Sequence, residues 1–144
     1  MTPQQKSLIR SSWRAVEPIA DEAAAMFYDR LFELDPNLRL LFRHTDMSSQ
    51  RTKLLTALGA VVAGLDRLDR VVPALEELGR RHAGYGVEDR HYETVGSALL
   101  WTLEQGLGEV WNADLDDAWS TAYATVSSVM RDAMREAEAA PAAA

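Results

Sequence analysis

The sequence predicts an all-α fold, and three observations support this prediction. Apolar residues recur at helical spacing through most of the 144-residue chain. Proline and glycine interrupt the pattern at intervals that suit helices of about ten to twenty residues. No segment shows the sustained alternation with β-branched residues that is typical of a strand. We therefore expect about seven to eight helices in a single domain over residues 1–144, with a frayed tail over about 137–144.

The first helices are expected to begin at local capping signals. The stretch Thr2-Pro3-Gln4-Gln5 combines a hydroxyl cap, an early proline and a glutamine three residues after the cap, which predicts a capping box. Pro18 is expected to open the second helix. The pair Asp35-Pro36 is expected to end that helix and to cap a short segment that runs to Phe42.

The middle of the chain predicts two longer helices. Ser48 or Ser49 is expected to cap the first of them, whose apolar face continues as far as Leu65. The second is expected to begin near Val71. It ends at residues 84–86, where the sequence Gly-Tyr-Gly offers the left-handed conformation that closes a helix.

The C-terminal part of the chain predicts a further pair of helices. The first carries Tyr92 and ends at Gly106 or Gly108, and the second follows Asn112. Two glycines inside predicted helices, Gly59 and Gly96, indicate either close helix crossings or ordinary tolerance of glycine.

Composition excludes several classes of function. The chain has 22 acidic and 15 basic side chains, a net charge of −7, which disfavours nucleic acid and anionic membranes as partners. It has no cysteine, which excludes disulfides, thiolate zinc sites and iron–sulfur clusters. The uncharged stretch Leu54 to Leu65 is shorter than the roughly 20 residues that a membrane span needs. We see no secretory signal and expect a cytoplasmic protein.

Three polar residues interrupt otherwise apolar helix faces. His82 continues the ridge of Leu75 and Leu78, Gln50 lies four residues before Leu54, and Tyr28 falls in the apolar stripe of the second helix. Burying such groups costs free energy unless they find a partner. Each alone is more simply read as a satisfied core residue, and Gln50 as a solvated one, so only their combination indicates a site.

Other chemistry finds little support in the sequence. Glu88-x-x-His91 matches half of a di-iron bundle, but the chain contains no second Glu-x-x-His. No His-Glu-x-x-His motif, phosphate-binding loop or nucleophile elbow is present. His82 therefore has the best context of the three histidines for metal chemistry.

Ordered motifs along nearly the whole chain resemble one family. LIRSSWRAV, MFYDRLFELDPNLRLLF, QRTKLL, LGRRHAGYGV, HYETVG and WSTAYATV follow one another at family spacing. Together they resemble single-domain bacterial globins, the globin domain of flavohaemoglobins, and neuroglobin. The resemblance implies a globin fold that encloses haem b.

The resemblance also implies roles for individual residues around the iron. His82 matches the proximal ligand, with its second ring nitrogen donating to a carbonyl one turn earlier, that of Leu78. Phe42 matches the phenylalanine that wedges the porphyrin, and Val87 matches a residue that packs on it. Tyr92 matches a tyrosine near the proximal histidine.

On the distal side, the resemblance places Tyr28 and Gln50 next to bound ligand and Leu54 one turn further along the same helix. Lys53 or Arg51 is expected to reach a haem propionate. All these residues are candidates for the binding of cofactor or ligand, and none is predicted to be catalytic.

Two departures from the family pattern affect the expected chemistry. Flavohaemoglobins have a glutamate near the proximal histidine where this sequence has Met134, so peroxidase-like activation is not expected. Flavohaemoglobins also continue into a reductase, whereas the sequence ends at Ala144, so NO turnover is not expected without help. Coordination of the iron by a second histidine would require His44 to move inward from its loop.

The expected function is reversible binding of O₂, and also of CO and NO, at a five-coordinate ferrous iron, for storage, transport or sensing. The alternative is an NO dioxygenase that works with a separate flavin reductase. A third interpretation keeps the helical fold without haem, as a regulatory module with a partner-binding groove.

Overall fold

The computed structural model describes residues 1–139, and over this part of the chain it is helical without strands. Six α-helices form the framework: α1 Pro3–Val16, α2 Ala20–Leu34, α3 Met47–Ala63, α4 Leu68–Gly84, α5 His91–Leu107 and α6 Ala113–Ala139. Four short 3₁₀ segments join them: Glu17–Ile19, Pro36–Phe42, Leu65–Arg67 and Gly108–Val110. The all-α prediction is confirmed. The count of α-helices is six rather than seven to eight, because the short connections adopt the tighter 3₁₀ form.

Several predicted caps are present. The hydroxyl of Thr2 accepts from the backbone N–H of Gln5, whose side chain accepts from the Thr2 N–H. The carboxylate of Asp35 accepts from the N–H of Asn37 at the start of the Pro36–Phe42 segment. The last helix follows Asn112 as expected, and the Asn112 side chain, for which no cap was predicted, accepts from the N–H of Leu115 at 2.9 Å.

Three predicted helix starts are wrong. α3 begins before Ser48 because the carboxylate of Asp46 accepts the Ser48 N–H, and a charged acceptor suits a helix N-terminus. Pro18 lies in a 3₁₀ turn that is closed by a hydrogen bond from the Ala20 N–H to the Glu17 carbonyl, so α2 begins after it. α4 begins three residues before Val71, directly after a 3₁₀ turn.

The predicted ends of α4 and α5 agree with the structure. Gly86 has a φ of 82° in the loop after α4, and Gly108 has a φ of 57° at the end of α5. Both values lie in the region that favours glycine. α6 continues through Ala139, so residues 137–139 are helical rather than frayed, and residues 140–144 lie outside the described part. Within residues 1–139, no helix has the length and apolar character needed to cross a membrane.

The helices pack in pairs, α4 on α6 and α2 on α5, with α1 also lying against α6. Gly79 brings α4 directly onto the backbone of α6, where a Cβ atom would overlap the carbonyl oxygen of Met130. Gly96 is a close contact too, since a Cβ there would lie 2.7 Å from the Tyr123 ring. Gly59 faces only ordinary contact, 3.9 Å from Trp13. The crossing at Gly79 therefore fixes how α4 lies in the fold.

Replacing Gly79 with alanine tests this crossing. We expect Gly79→Ala to lower the free energy of unfolding by about 1–3 kcal/mol, because the methyl group meets rigid backbone rather than a side chain that can move. Gly59→Ala is the matched control. It is expected to raise the free energy of unfolding by up to about 1 kcal/mol, as alanine usually does within a helix. Urea denaturation measures both, and equal effects of the two substitutions would contradict the close crossing.

Candidate functional site

The apolar faces of α3 and α4 that carry Gln50 and His82 are not packed against each other. The two helices touch only slightly, and Leu54, Leu58 and Leu78 on these faces remain half-buried. Most fully buried apolar side chains lie on α2, α5 and α6, whereas α3 and α4 contribute one each, Val62 and Leu75. Incompletely buried apolar faces on neighbouring helices are places where a cleft for a flat apolar group can form.

His82 on α4 is held in one orientation by a hydrogen bond to its own helix. Its Nδ1 lies 2.6 Å from the carbonyl oxygen of Leu78, one turn earlier, as the resemblance implied. Burial lowers the pKa of His82, and the Leu78 hydrogen bond offsets this lowering only in part. The ring is therefore neutral at pH 7, with its proton on Nδ1 and a lone pair on Nε2. A neutral imidazole of this kind is the donor that haem iron takes as an axial ligand.

Tyr28 and Gln50 are joined by a hydrogen bond between α2 and α3. The side-chain amide of Gln50 donates to the Tyr28 hydroxyl at 3.2 Å. Because the Tyr28 oxygen is the acceptor, its own proton is available to a further partner. Burial raises the pKa of Tyr28, although the hydrogen bond from Gln50 partly opposes the shift, so the hydroxyl stays protonated at neutral pH.

Aromatic rings surround the Tyr28 side chain. Phe27 and Phe42 meet it edge-on, with ring centroids 4.9 and 5.7 Å away, and Phe32 lies 6.3 Å away. Phe42 also meets Phe32 edge-on at 5.6 Å. These rings fix Tyr28 and connect the 3₁₀ segment that carries Phe42 to α2.

The other residues considered for the haem site differ in burial and in contacts. Leu54 is half-buried against the core, and the backbone N–H of Val87 donates to the His82 carbonyl at 3.4 Å. Lys53 and His44 are exposed. Arg51 approaches Asp21 on α2, with 3.9 Å between Nε and the carboxylate.

Tyr92 lies beside His82 but bonds elsewhere. The two rings are 6.5 Å apart, and the Tyr92 hydroxyl donates to the sulfur of Met134 at 3.6 Å. The guanidinium of Arg131 lies over the Tyr92 ring, 5.2 Å from its centroid. Burial raises the pKa of Tyr92, with Arg131 opposing the shift. Around the imidazole, the hydrogen-bond acceptor is thus a neutral carbonyl, and the neighbouring Tyr92 hydroxyl meets a thioether.

Sequence reasoning missed the residues that hold the loop between α4 and α5. Asp89 in that loop accepts from Arg135 on α6 at 2.9 and 3.0 Å. His91 accepts from the backbone N–H of Glu88 at 2.9 Å. The Glu88-x-x-His91 spacing was the available signal, but it pointed to metal. Within residues 1–139, no group of three or more histidine or carboxylate side chains is placed to hold a metal ion.

The fold and the site together define a class of protein. It is a helical domain with two incompletely buried apolar faces, an imidazole with a free ring nitrogen, and a hydroxyl–amide pair, a combination typical of small-ligand and cofactor sites between helices.

Comparison with known proteins identifies the family. The globin family profile matches residues 25–130. Neuroglobins from Chaenocephalus aceratus and Danio rerio are each 33% identical over 143 residues, covering 90% of this chain and 90% of theirs. The flavohemoprotein of Bacillus subtilis (strain 168) is 29% identical over 137 residues, which span 91% of this chain but only 34% of that protein. The chain belongs to the globin family.

A solved structure supports the fold. The hexacoordinated heme protein of an anhydrobiotic tardigrade, crystallised at pH 4, superposes with a TM-score of 0.86. The match covers 94% of this chain and 96% of the other at 18% sequence identity. At this level of identity, the comparison confirms the globin fold of the chain.

The raised pKa of Tyr28 has a measurable consequence for stability. Above pH 10.0, the ordinary value, the unfolded chain releases the tyrosine proton while the folded chain keeps it, so stability falls as the pH rises through the folded value. We expect wild type to lose more unfolding free energy than Tyr28→Phe between about pH 9 and pH 11. Urea denaturation at each pH gives the difference, which cancels the titration of other groups. A difference that does not change with pH would contradict the burial of Tyr28.

Proposed function

We propose that this globin holds haem b between α3 and α4 and binds O₂ reversibly, with His82 as the axial ligand of the iron. The proposal depends above all on the His82 geometry, in which Nδ1 is engaged with Leu78 and Nε2 keeps its lone pair. The neuroglobin, flavohemoprotein and heme-protein relatives support the same cofactor. When bound, haem supplies an iron position at which O₂, CO and NO can coordinate.

Several residues on both sides of the site would hold and orient the cofactor. His82 provides the axial nitrogen, and the Leu78 carbonyl fixes both the tautomer and the plane of the ring. Leu54, Val87 and Phe42 would supply apolar contacts to the porphyrin. Lys53 is exposed on α3, where its ammonium group can pair with a propionate in solvent.

The distal residues stabilise O₂ more than CO. Dioxygen on ferrous iron gains partial negative charge, and hydrogen-bond donors stabilise that charge. The Tyr28 proton is free to donate because its oxygen accepts from Gln50, and the Gln50 amide carries a second N–H. An amide is also a poor ligand for iron, so we propose that the ferrous iron remains five-coordinate until a diatomic ligand enters.

The second candidate function is NO dioxygenation with electrons from a separate flavin reductase, which the flavohemoprotein relative favours. We do not assign the complete activity of that protein to this chain, because the match covers only 34% of that protein's length. Steady-state consumption of NO, with NADPH and a flavin reductase added, distinguishes an NO dioxygenase from a protein that only binds O₂.

Optical spectra test the haem assignment. The ferric, ferrous and ferrous–CO forms of the haemin-loaded protein should show a Soret band and a five-coordinate ferrous state. His82→Ala should lose the pigment or change its spectrum, whereas His44→Ala should leave both unchanged. Absence of a Soret band after haemin addition would favour the haem-free regulatory module.

The distal hydrogen bonds predict slow release of O₂. A hydrogen bond to a charged partner contributes roughly 1.5–3 kcal/mol, so Tyr28→Phe and Gln50→Leu should each speed O₂ release about ten- to a hundredfold. Stopped-flow measurements give these rates, and CO release from the same variants serves as the control because CO gains little from donors. Unchanged O₂ release in both variants would contradict the assigned donors.

A further inference from the structure

His91 is a buried imidazole that the proposed function leaves unused. It is the first residue of α5, and only 7% of it is exposed. Its Nδ1 accepts the backbone N–H of Glu88 at 2.9 Å, and its own backbone N–H donates to the Glu88 carbonyl at 3.0 Å. The pair resembles the half of a capping box in which a side chain reaches back three residues to a backbone donor.

The second ring nitrogen of His91, Nε2, lies near acidic groups from two parts of the chain. Nε2 lies 4.0 Å from a carboxylate oxygen of Asp35 and 3.7 Å from one of Glu88. Arg90 joins the same cluster, 2.7 Å from Glu88 and 3.8 Å from Asp35. Asp35 also caps the 3₁₀ segment that leads to Phe42. The cluster therefore links the α4–α5 loop to the distal side of the cleft.

The α4–α5 loop, residues 85–90, sets the position of the last turn of α4. The carbonyl of His82 accepts from the backbone N–H groups of Tyr85 and Val87, at 3.1 and 3.4 Å. Glu88 follows Val87 directly. A displacement of the Glu88 backbone is therefore passed through Val87 to the residue that carries the iron ligand.

We propose that His91 is a positioning residue, which holds the Glu88 backbone and thereby fixes His82 and Val87 relative to the distal side. It acts through the loop, by its contacts with the Glu88 backbone. Its consequence for haem depends on the proposed function, whereas its effect on the loop does not.

Asparagine separates this role from general packing. The Oδ1 atom of asparagine occupies the same place along the side chain as Nδ1 of histidine, so His91→Asn retains an acceptor for the Glu88 N–H. His91→Leu fills similar space without an acceptor and leaves that donor unpaired. Asn112→Leu is the matched control, because it removes the same kind of bond from the start of α6, between Asn112 and the Leu115 N–H.

The first measurement is hydrogen–deuterium exchange of the full chain, followed by mass spectrometry over residues 85–90. We expect exchange in His91→Leu to be about tenfold faster than in wild type, with recovery to within about twofold in His91→Asn. Asn112→Leu should leave this segment unchanged. Equal exchange in His91→Leu and wild type, or equal acceleration in Asn112→Leu, would overturn the proposal.

The second measurement is made on haemin-loaded protein. His91→Leu should release haemin to excess apomyoglobin about tenfold faster and should shift or broaden the iron–imidazole Raman band, and His91→Asn should restore both. Unaltered release and an unaltered band in His91→Leu would overturn the positioning role while the proposed function stands. If the wild type takes up no haemin, the proposed function fails, and the exchange measurement decides the proposal alone.

Discussion

The hydrogen bond between Nδ1 of His82 and the carbonyl of Leu78 is the interaction on which the proposed chemistry depends. It places the proton on one ring nitrogen and leaves the lone pair on the other, and it fixes the plane of the ring. The bond lies within a single helix turn, so it requires α4 to remain helical as far as the histidine. Burial keeps the ring neutral by lowering the pKa of His82. A ligand nitrogen is thus ready before any cofactor binds.

What surrounds this imidazole also limits what the site can do. Its acceptor is a backbone carbonyl, which is neutral, and the neighbouring Tyr92 hydroxyl is directed to the weakly accepting sulfur of Met134. No negative charge is therefore transmitted to His82 through Tyr92. On the distal side, Tyr28 and Gln50 offer donors rather than groups that titrate near pH 7. In the proposed function, this combination would stabilise bound O₂ without promoting cleavage of the O–O bond, which favours reversible binding over peroxidase-like chemistry.

Local signals predicted most of the helix boundaries, and tertiary contacts explain the errors. Local sequence is enough to recognise several of these signals: the capping box at Thr2, the cap at Asp35, the position of Asn112 before α6, and Gly108. Asp46 and Ser48 are both good caps two residues apart, so the sequence alone does not choose between them. The contact of Gly79 with α6 depends on which helices cross, and periodicity carries no information on that. The contact between His91 and the Glu88 backbone was not predicted for a related reason, since the spacing of the two residues fits a metal motif as well as a backbone contact.

The two sides of the cleft differ in how firmly they are held. α4 is fixed by the Gly79 crossing on α6, and the loop after it is held by Arg135 through Asp89 and by His91 through Glu88. α4 packs along α6 more extensively than α3 packs against any neighbouring helix, and α3 buries a single residue fully, Val62. A helix with so few buried contacts can shift at small cost in free energy, and one with many cannot. His82, the proposed iron ligand, therefore lies on the more firmly held helix, and Gln50 lies on the less firmly held one. In such an arrangement the metal geometry stays constant while the hydrogen bonds to the ligand adjust to what enters.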